Sequence, residues 1–138
     1  MRKLQSARNH LLASPLDIKA EKLLTFAEKG VITSWQGADH QNRDFQVGYT
    51  AHLILTDYSG EPLTLFFVML EWLRRECPAA KPDALRFHVD VIDTKQVDVS
   101  LMLELTETVT AAAAPGGTRL TPDADPSALH AALFPGGA

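Results

Sequence analysis

The sequence predicts an α+β domain: an antiparallel sheet of about four strands, with two N-terminal helices and one central helix packed mainly on one face. Three observations predict it. Residues 45–55 alternate, with Phe45, Val47, Tyr49, Ala51, Leu53 and Leu55 on one side and Gln46, Gly48, Thr50 and His52 on the other. That period of two suits a strand with one face against a core. Residues 85–93 and 97–108 repeat the pattern about a short polar tip, as a hairpin does. Between them, residues 63–76 are apolar around much of a helix.

In chain order, Leu4, Ala7, Leu11 and Leu12 recur at helical spacing, so residues 2–13 predict an amphipathic helix. Ser14-Pro15 then resembles a second start, with Ser as cap, Pro at the first helical position and Asp17 at the capping-box site. A start nearer Lys19 is the alternative. Leu16, Ala20, Leu23, Leu24 and Ala27 give this second helix a stripe, and Gly30 a stop. Val31–Gln36 is expected to be a short strand, and residues 37–42 a polar turn-rich loop.

After the long strand, Asp57-Tyr58-Ser59-Gly60-Glu61-Pro62 is a turn into the central helix. That helix carries two stripes: Leu63, Phe66, Phe67, Leu70 and Leu73 on one side, and Leu65, Met69 and Trp72 on the other. A helix apolar on two sides needs cover on two sides. Either the N-terminal helices supply the second cover or another subunit does. Cys77-Pro78 ends it.

In the hairpin, both apolar sets are odd-numbered, so opposed positions sum to an even number. A sum of 190 places Arg86 opposite Glu104, and 188 places Asp90 opposite Asp98. Charge favours the first, with Thr94-Lys95-Gln96 at the tip. Composition changes at Ala111-Ala112-Ala113-Ala114-Pro115-Gly116-Gly117. The expected organisation is therefore a domain over 1–110 and an Ala/Pro/Gly-rich flexible tail over 111–138. Within the tail, Asp125, Pro126, Leu129 and Leu133 suggest one short helix.

The chain of 138 residues is long enough for one domain burying roughly two-thirds of its unfolded surface. Thirteen basic residues face seventeen acidic ones without a basic run, so no nucleic-acid footprint is expected. One Cys suits a reducing compartment, and no apolar run approaches the ~20 residues of a membrane span. With no signal-peptide pattern, a cytoplasmic site is expected.

No residue pattern favours catalysis. Asp39-His40 lacks further ligands and fits turn chemistry. His88 and Asp90 share a strand face, but zinc takes three or four ligands. Cys77 at a helix C-terminus is disfavoured as a thiolate. Tyr58-Ser59-Gly60 lacks the second Gly of a nucleophile elbow. The chain is expected to be no enzyme, with no cofactor and no metal. A monomeric ligand- or peptide-binding adaptor is the alternative, and a hydrolase using His88 and Asp90 a more distant one.

Spaced residues also carry a likeness. Lys22-Leu23-Leu24-x-Phe26-x-Glu28-x-Gly30 precedes Tyr49-x-x-x-Leu53-x-x-Thr56-Asp57-Tyr58-x-Gly60. Leu70-x-Trp72-Leu73-Arg74, Cys77-Pro78, Asp90-x-x-Asp93, Val97-Asp98-x-Ser100 and Leu105-Thr106-Glu107 follow. In order and spacing this resembles the tail completion protein R family of contractile-tailed temperate phages. The chain departs from the family at Val68, where members often carry Pro, and at Glu61, where Asp often follows the turn Gly.

The resemblance implies a non-enzymatic virion protein with a tail-terminator-like fold. It would complete or terminate the tail as a ring, commonly a hexamer, at the head-proximal end, and prepare that end for head joining. The implied partners are further copies of itself, tail tube or sheath proteins and head–tail connector proteins. The implied location is the virion tail, after assembly in the host cytoplasm. Candidate subunit or tail contacts are Trp72, Arg74, Arg75 and Arg43, with Asp39 and His40 in the 37–42 loop. Trp72 is the expected anchor, because aromatic and Arg side chains concentrate at interface centres.

Overall fold

The computed structural model describes residues 1–34 and 43–122. Helix α1 (Arg2–Ala13) and helix α2 (Pro62–Glu76) lie against one face of a five-stranded antiparallel sheet. The strands are β1 (Leu23–Ser34), β2 (Phe45–Tyr58), β3 (Arg86–Val91), β4 (Val97–Ala114) and β5 (Gly117–Pro122). Their order is β1-β2-β4-β3, and β5 also pairs with β4.

The core follows the expected alternation. Tyr49, Ala51, Leu53 and Leu55 of β2 and Val99, Leu101, Leu103 and Leu105 of β4 are buried beneath the helices. Leu4, Ala7 and Leu11 of α1 and Leu65, Met69, Trp72 and Leu73 of α2 close over them. The Trp72 Nε1–H donates to Ser6 Oγ at 3.0 Å, tying the two helices.

The second N-terminal helix is not formed. Ser14 terminates α1 instead of opening another helix, its hydroxyl donating to the Leu11 carbonyl at 2.6 Å. Asp17 takes a left-handed φ of 56° in the turn that follows. A 3-10 turn at Ala20–Lys22 then leads straight into β1. Arg8 of α1 clasps this entry, donating to the carbonyls of Leu23 and Ala20. The stripe that mimicked a helix is a strand whose Leu23, Thr25 and Ala27 lie opposite Leu55, Leu53 and Ala51. Pairing with a long hydrophobic strand outweighs a weak local helix preference. Gly30 does not stop a helix. It follows Lys29 (φ 56°) at a bulge that shifts register between Glu28 and Val31.

The hairpin also takes the register that charge disfavoured. Arg86 lies opposite Met102 and Asp90 opposite Asp98. Turn chemistry decides it: the Asp93 carboxylate accepts from the backbone N–H of Lys95 and Gln96, at 2.7 and 2.8 Å. Two more bonds, from the Ile92 and Asp93 N–H to the Gln96 carbonyl, fix the loop. Asp98 is engaged elsewhere, accepting from the Asp57 N–H at 3.0 Å. Arg86 still reaches Glu104 diagonally at 3.4 Å.

The composition break at Ala111 is not a break in the sheet. Strand β4 runs through the alanines to Ala114, turns at Pro115-Gly116, and pairs back as β5. Gly116 supplies the positive φ the turn needs (83°). The short helix suggested near Asp125–Leu133 lies outside the described residues, as does the 37–42 loop.

Two buried features carry predictions. Glu107 is buried and accepts from the Arg2 N–H at 2.7 Å and from the Tyr49 hydroxyl. It thus places a carboxylate at the N-terminus of α1, where the helix dipole favours it. Glu107→Ala should destabilise the fold by about 1–3 kcal/mol, because it removes the carboxylate that accepts from the buried Tyr49 hydroxyl and from the Arg2 N–H. Hydrogen exchange should speed up most in the first turn of α1.

The Thr56-Asp57-Tyr58-x-Gly60 stretch is a packed corner. Asp57 has φ 53° at a second bulge, and Tyr58 turns inward to donate to the Glu61 carbonyl at 3.3 Å. Burial raises the Tyr58 pKa above its ordinary value, with Glu61 adding to the shift, so the hydroxyl keeps its proton. A side chain on Gly60 would put Cβ 2.8 Å from Tyr58 Cε1 and nearer still to its hydroxyl. Gly60→Ala should therefore cost about 1–3 kcal/mol through overpacking, read from a urea midpoint.

Candidate functional site

Helix α2 is covered on one flank and open on the other. Its inward stripe (Leu65, Met69, Trp72, Leu73) is buried. Toward α1 it is held by the Trp72–Ser6 bond and by His10 Nε2, 2.9 Å from the Val68 carbonyl oxygen. On the opposite flank, the Phe66 ring meets Phe87 of β3 with centroids 4.6 Å apart. Beyond Phe66 nothing covers the helix among the described residues. Leu63 is 69% exposed and Phe67 56%.

Strand β3 continues this open surface. Its odd residues point to the helix side of the sheet, opposite Leu101, Val99 and Val97. Strand β3 is at the sheet edge, however, and α2 reaches only its inner part. Phe87 is 58% exposed and Val91 75%. Leu63, Phe66, Phe67, Phe87 and Val91 therefore form an apolar band from helix to edge strand. Isolated exposed apolar residues are ordinary, whereas a band of large ones marks a contact surface.

A second apolar area lies on the other sheet face. Leu24, Phe26 and Val31 of β1 are exposed there, and Phe26 stacks on His52 at 4.5 Å. His52 Nε2 is buried, has no hydrogen-bond partner among the described residues, and lies 3.6 Å from a Glu28 carboxylate oxygen.

The residues singled out from sequence are scattered. Trp72 is fully buried within its own subunit and bonded to Ser6, so it cannot anchor a neighbour. Arg74 is exposed beside a hollow of about 390 Å³ lined by Leu70, Leu73, Cys77 and Lys81. Arg75 pairs with adjacent Glu76 at 3.0 Å. Arg43 hydrogen-bonds Thr118 of β5 and so ties the end of the sheet together. Asp39 and His40 lie outside the described residues. His88 and Asp90 meet at 2.9 Å on the exposed outer face. No cluster of three or more His, Cys, Asp or Glu accompanies them among the described residues.

The open band was half legible. Leu63 and Phe67 stood in the outward stripe of the central helix, but Phe87 and Val91 read as core. Their alternation gives the right face; it does not show that the strand is at an edge and that the helix stops short of it.

Residues 1–126 match the family model described as P2 phage tail completion protein R (GpR). The chain belongs to this family. Among curated proteins it is similar to the "Tail completion protein R" of Escherichia phage P2, with 29% identity over 98 residues. That match covers 67% of this chain and 61% of the relative, so the chain spans about three-fifths of the relative's length. No solved structure matches it. The Thr56-Asp57-Tyr58-x-Gly60 and Trp72-Leu73-Arg74 stretches of this chain have structural reasons. The first builds the bulged corner under Tyr58, and the second places the Trp that locks α2 onto α1.

Proposed function

We propose that this chain completes a phage tail without catalysing a reaction, by forming a ring of identical copies at the head-proximal end. The open apolar band on α2 and β3 carries the reading. Membership of the tail completion family supplies the setting. A ring needs a heterologous interface, in which one patch meets a different patch on the next copy. The α2–β3 band and the apolar outer face of β1 lie at opposite edges of the sheet, which suits head-to-tail repetition.

The mechanism is steric. Copies cover the growing end of tube and sheath and present a new surface to the head–tail connector. Exposed Arg74 borders the band's helix and is placed to meet acidic groups on a partner. Protein made in the host cytoplasm would end in the virion tail. Phage lacking the gene should make tails that are abnormal in length or fail to join heads, as seen by electron microscopy. Normal infectious particles without it would refute the reading.

A further inference from the structure

The sheet ends in two open edges. In the order β1-β2-β4-β3, no strand among the described residues pairs with the far side of β1 or of β3. Every neighbouring pair is antiparallel, so the two edge strands run in opposite directions. One bond shows which backbone groups stand open. The Ile92 N–H donates to the Gln96 carbonyl, so the even-numbered groups of β3 and β4 face each other. Alternation then turns the odd groups of β4 toward β2 and the even groups of β2 toward β1. Phe87, Val89 and Val91 therefore point their N–H and C=O groups out of one edge. Thr25 and Ala27 point theirs out of the other. Open groups at a sheet edge are a template for a further strand.

The two edges match each other in length. Strand β3 has six residues, Arg86–Val91. On β1 the regular ladder before the bulge also covers six, Leu23–Glu28. With outward groups opposed, odd residues meet odd ones, so paired positions sum to an even number. A sum of 114 sets all of Leu23–Glu28 against all of Arg86–Val91. Ala27–Phe87 and Thr25–Val89 become hydrogen-bonded pairs, each exchanging two bonds. Leu23 opposite Val91 supplies contact only, because its N–H is bonded to the Ala20 carbonyl and its own carbonyl to Arg8. A sum of 116 would put Phe87 against Lys29 in the bulge, and 112 would put Val91 against Glu21 in the 3-10 turn.

Side chains fit the same register. On the helix side, exposed Phe87 meets the small side chains of Ala27 and Thr25. On the outer side, Arg86 falls opposite Glu28, an attractive pair. Arg86 already reaches Glu104 at 3.4 Å, and its five N–H donors can serve a second carboxylate.

We infer that β3 of each copy pairs with β1 of the next, Phe87 against Ala27 and Val89 against Thr25, so that one sheet runs unbroken around the ring. This pairing rests on the ring proposed above and supplies its contact. Because the edge strands run oppositely, a copy carried around an axis along the strands arrives antiparallel, with its helices on the same side. The α2–β3 band then lies over the neighbour's β1. A twofold pairing of β1 with β1 would instead close at two copies and leave β3 open.

Disulfide mapping on assembled tails tests this. In a Cys77→Ala background, Leu24→Cys with Asp90→Cys puts two thiols at directly opposed positions, within disulfide reach. Oxidised tails should then give a ladder of linked copies beyond the dimer on denaturing gels without reductant, and either single cysteine should give monomer. Ala27→Pro should lower phage yield at least ~100-fold while the urea midpoint of the free protein barely moves, because that N–H faces out of the sheet. A ring visible by electron microscopy whose copies stay unlinked, or link only as dimers, would overturn the strand pairing and leave the ring standing. Absence of any ring would overturn both. Dimers from Leu24→Cys alone, or full yield from Ala27→Pro, would also contradict the pairing.

Discussion

Replacing Trp72 by alanine is expected to destabilise the folded monomer by about 3–5 kcal/mol, a large share of the ~5–15 kcal/mol that holds a domain together. Trp72 is fully buried between α1, α2 and the sheet, and its indole N–H satisfies Ser6. Truncation would open a cavity and strand a hydroxyl in one step. Had Trp72 been an interface anchor, the free protein would barely notice its loss and only assembly would suffer. Here the order is reversed. Urea unfolding of the purified protein should show the full deficit before any tail is present, and Trp72→Phe should recover most of it. An unchanged unfolding midpoint for Trp72→Ala would contradict the placement.

The second large effect belongs to the open band. Leu63→Asp combined with Phe67→Asp should leave monomer stability within about 0.5 kcal/mol, since both side chains are exposed in the free protein. Phage yield should nevertheless fall by at least ~100-fold. Two carboxylates in a dry contact cost several kcal/mol, and each 1.4 kcal/mol is tenfold. In a ring that penalty recurs at every subunit boundary. Complementation of a phage lacking the gene, scored by plaques and by tail morphology, checks it. Full complementation by the double variant would remove the band from the assembly.

What the sequence made legible follows from where its signals originate. Strict alternation over Phe45–Leu55 and Val97–Leu105 identified two strands and their buried face, because period two is a property of the backbone itself. The central helix was legible because its apolar stripes recur at the helical period, with the Asp57–Pro62 turn before it and Cys77-Pro78 at its end. The segment 15–29 failed because Leu16, Ala20, Leu23, Leu24 and Ala27 fit a helical stripe. The partner strand that claims Leu23–Ala27 is some thirty residues away and leaves no local mark. Register failed because the Asp93 turn bonds outweigh a surface charge pair, which is worth little when exposed. The alanine run read as a linker because composition hides a pairing that only β5 completes.

The same limit applies to the site. Surplus apolar surface on the central helix was visible, but its outer stripe was assigned no anchor, and the anchor role went to Trp72. Burial belongs to the assembled core: helical geometry puts Trp72 with Leu65 and Met69, and only α1 docking decides which stripe goes inside.

Electron cryomicroscopy of purified completed tails tests the central claim most directly, that the α2–β3 band is covered by a neighbouring copy at the tail end. The account predicts a closed ring of this chain at the head-proximal end, with Leu63, Phe67 and Phe87 packed against the adjacent subunit. A tail in which those three side chains face solvent, or in which this chain forms no contact with another copy, would contradict it.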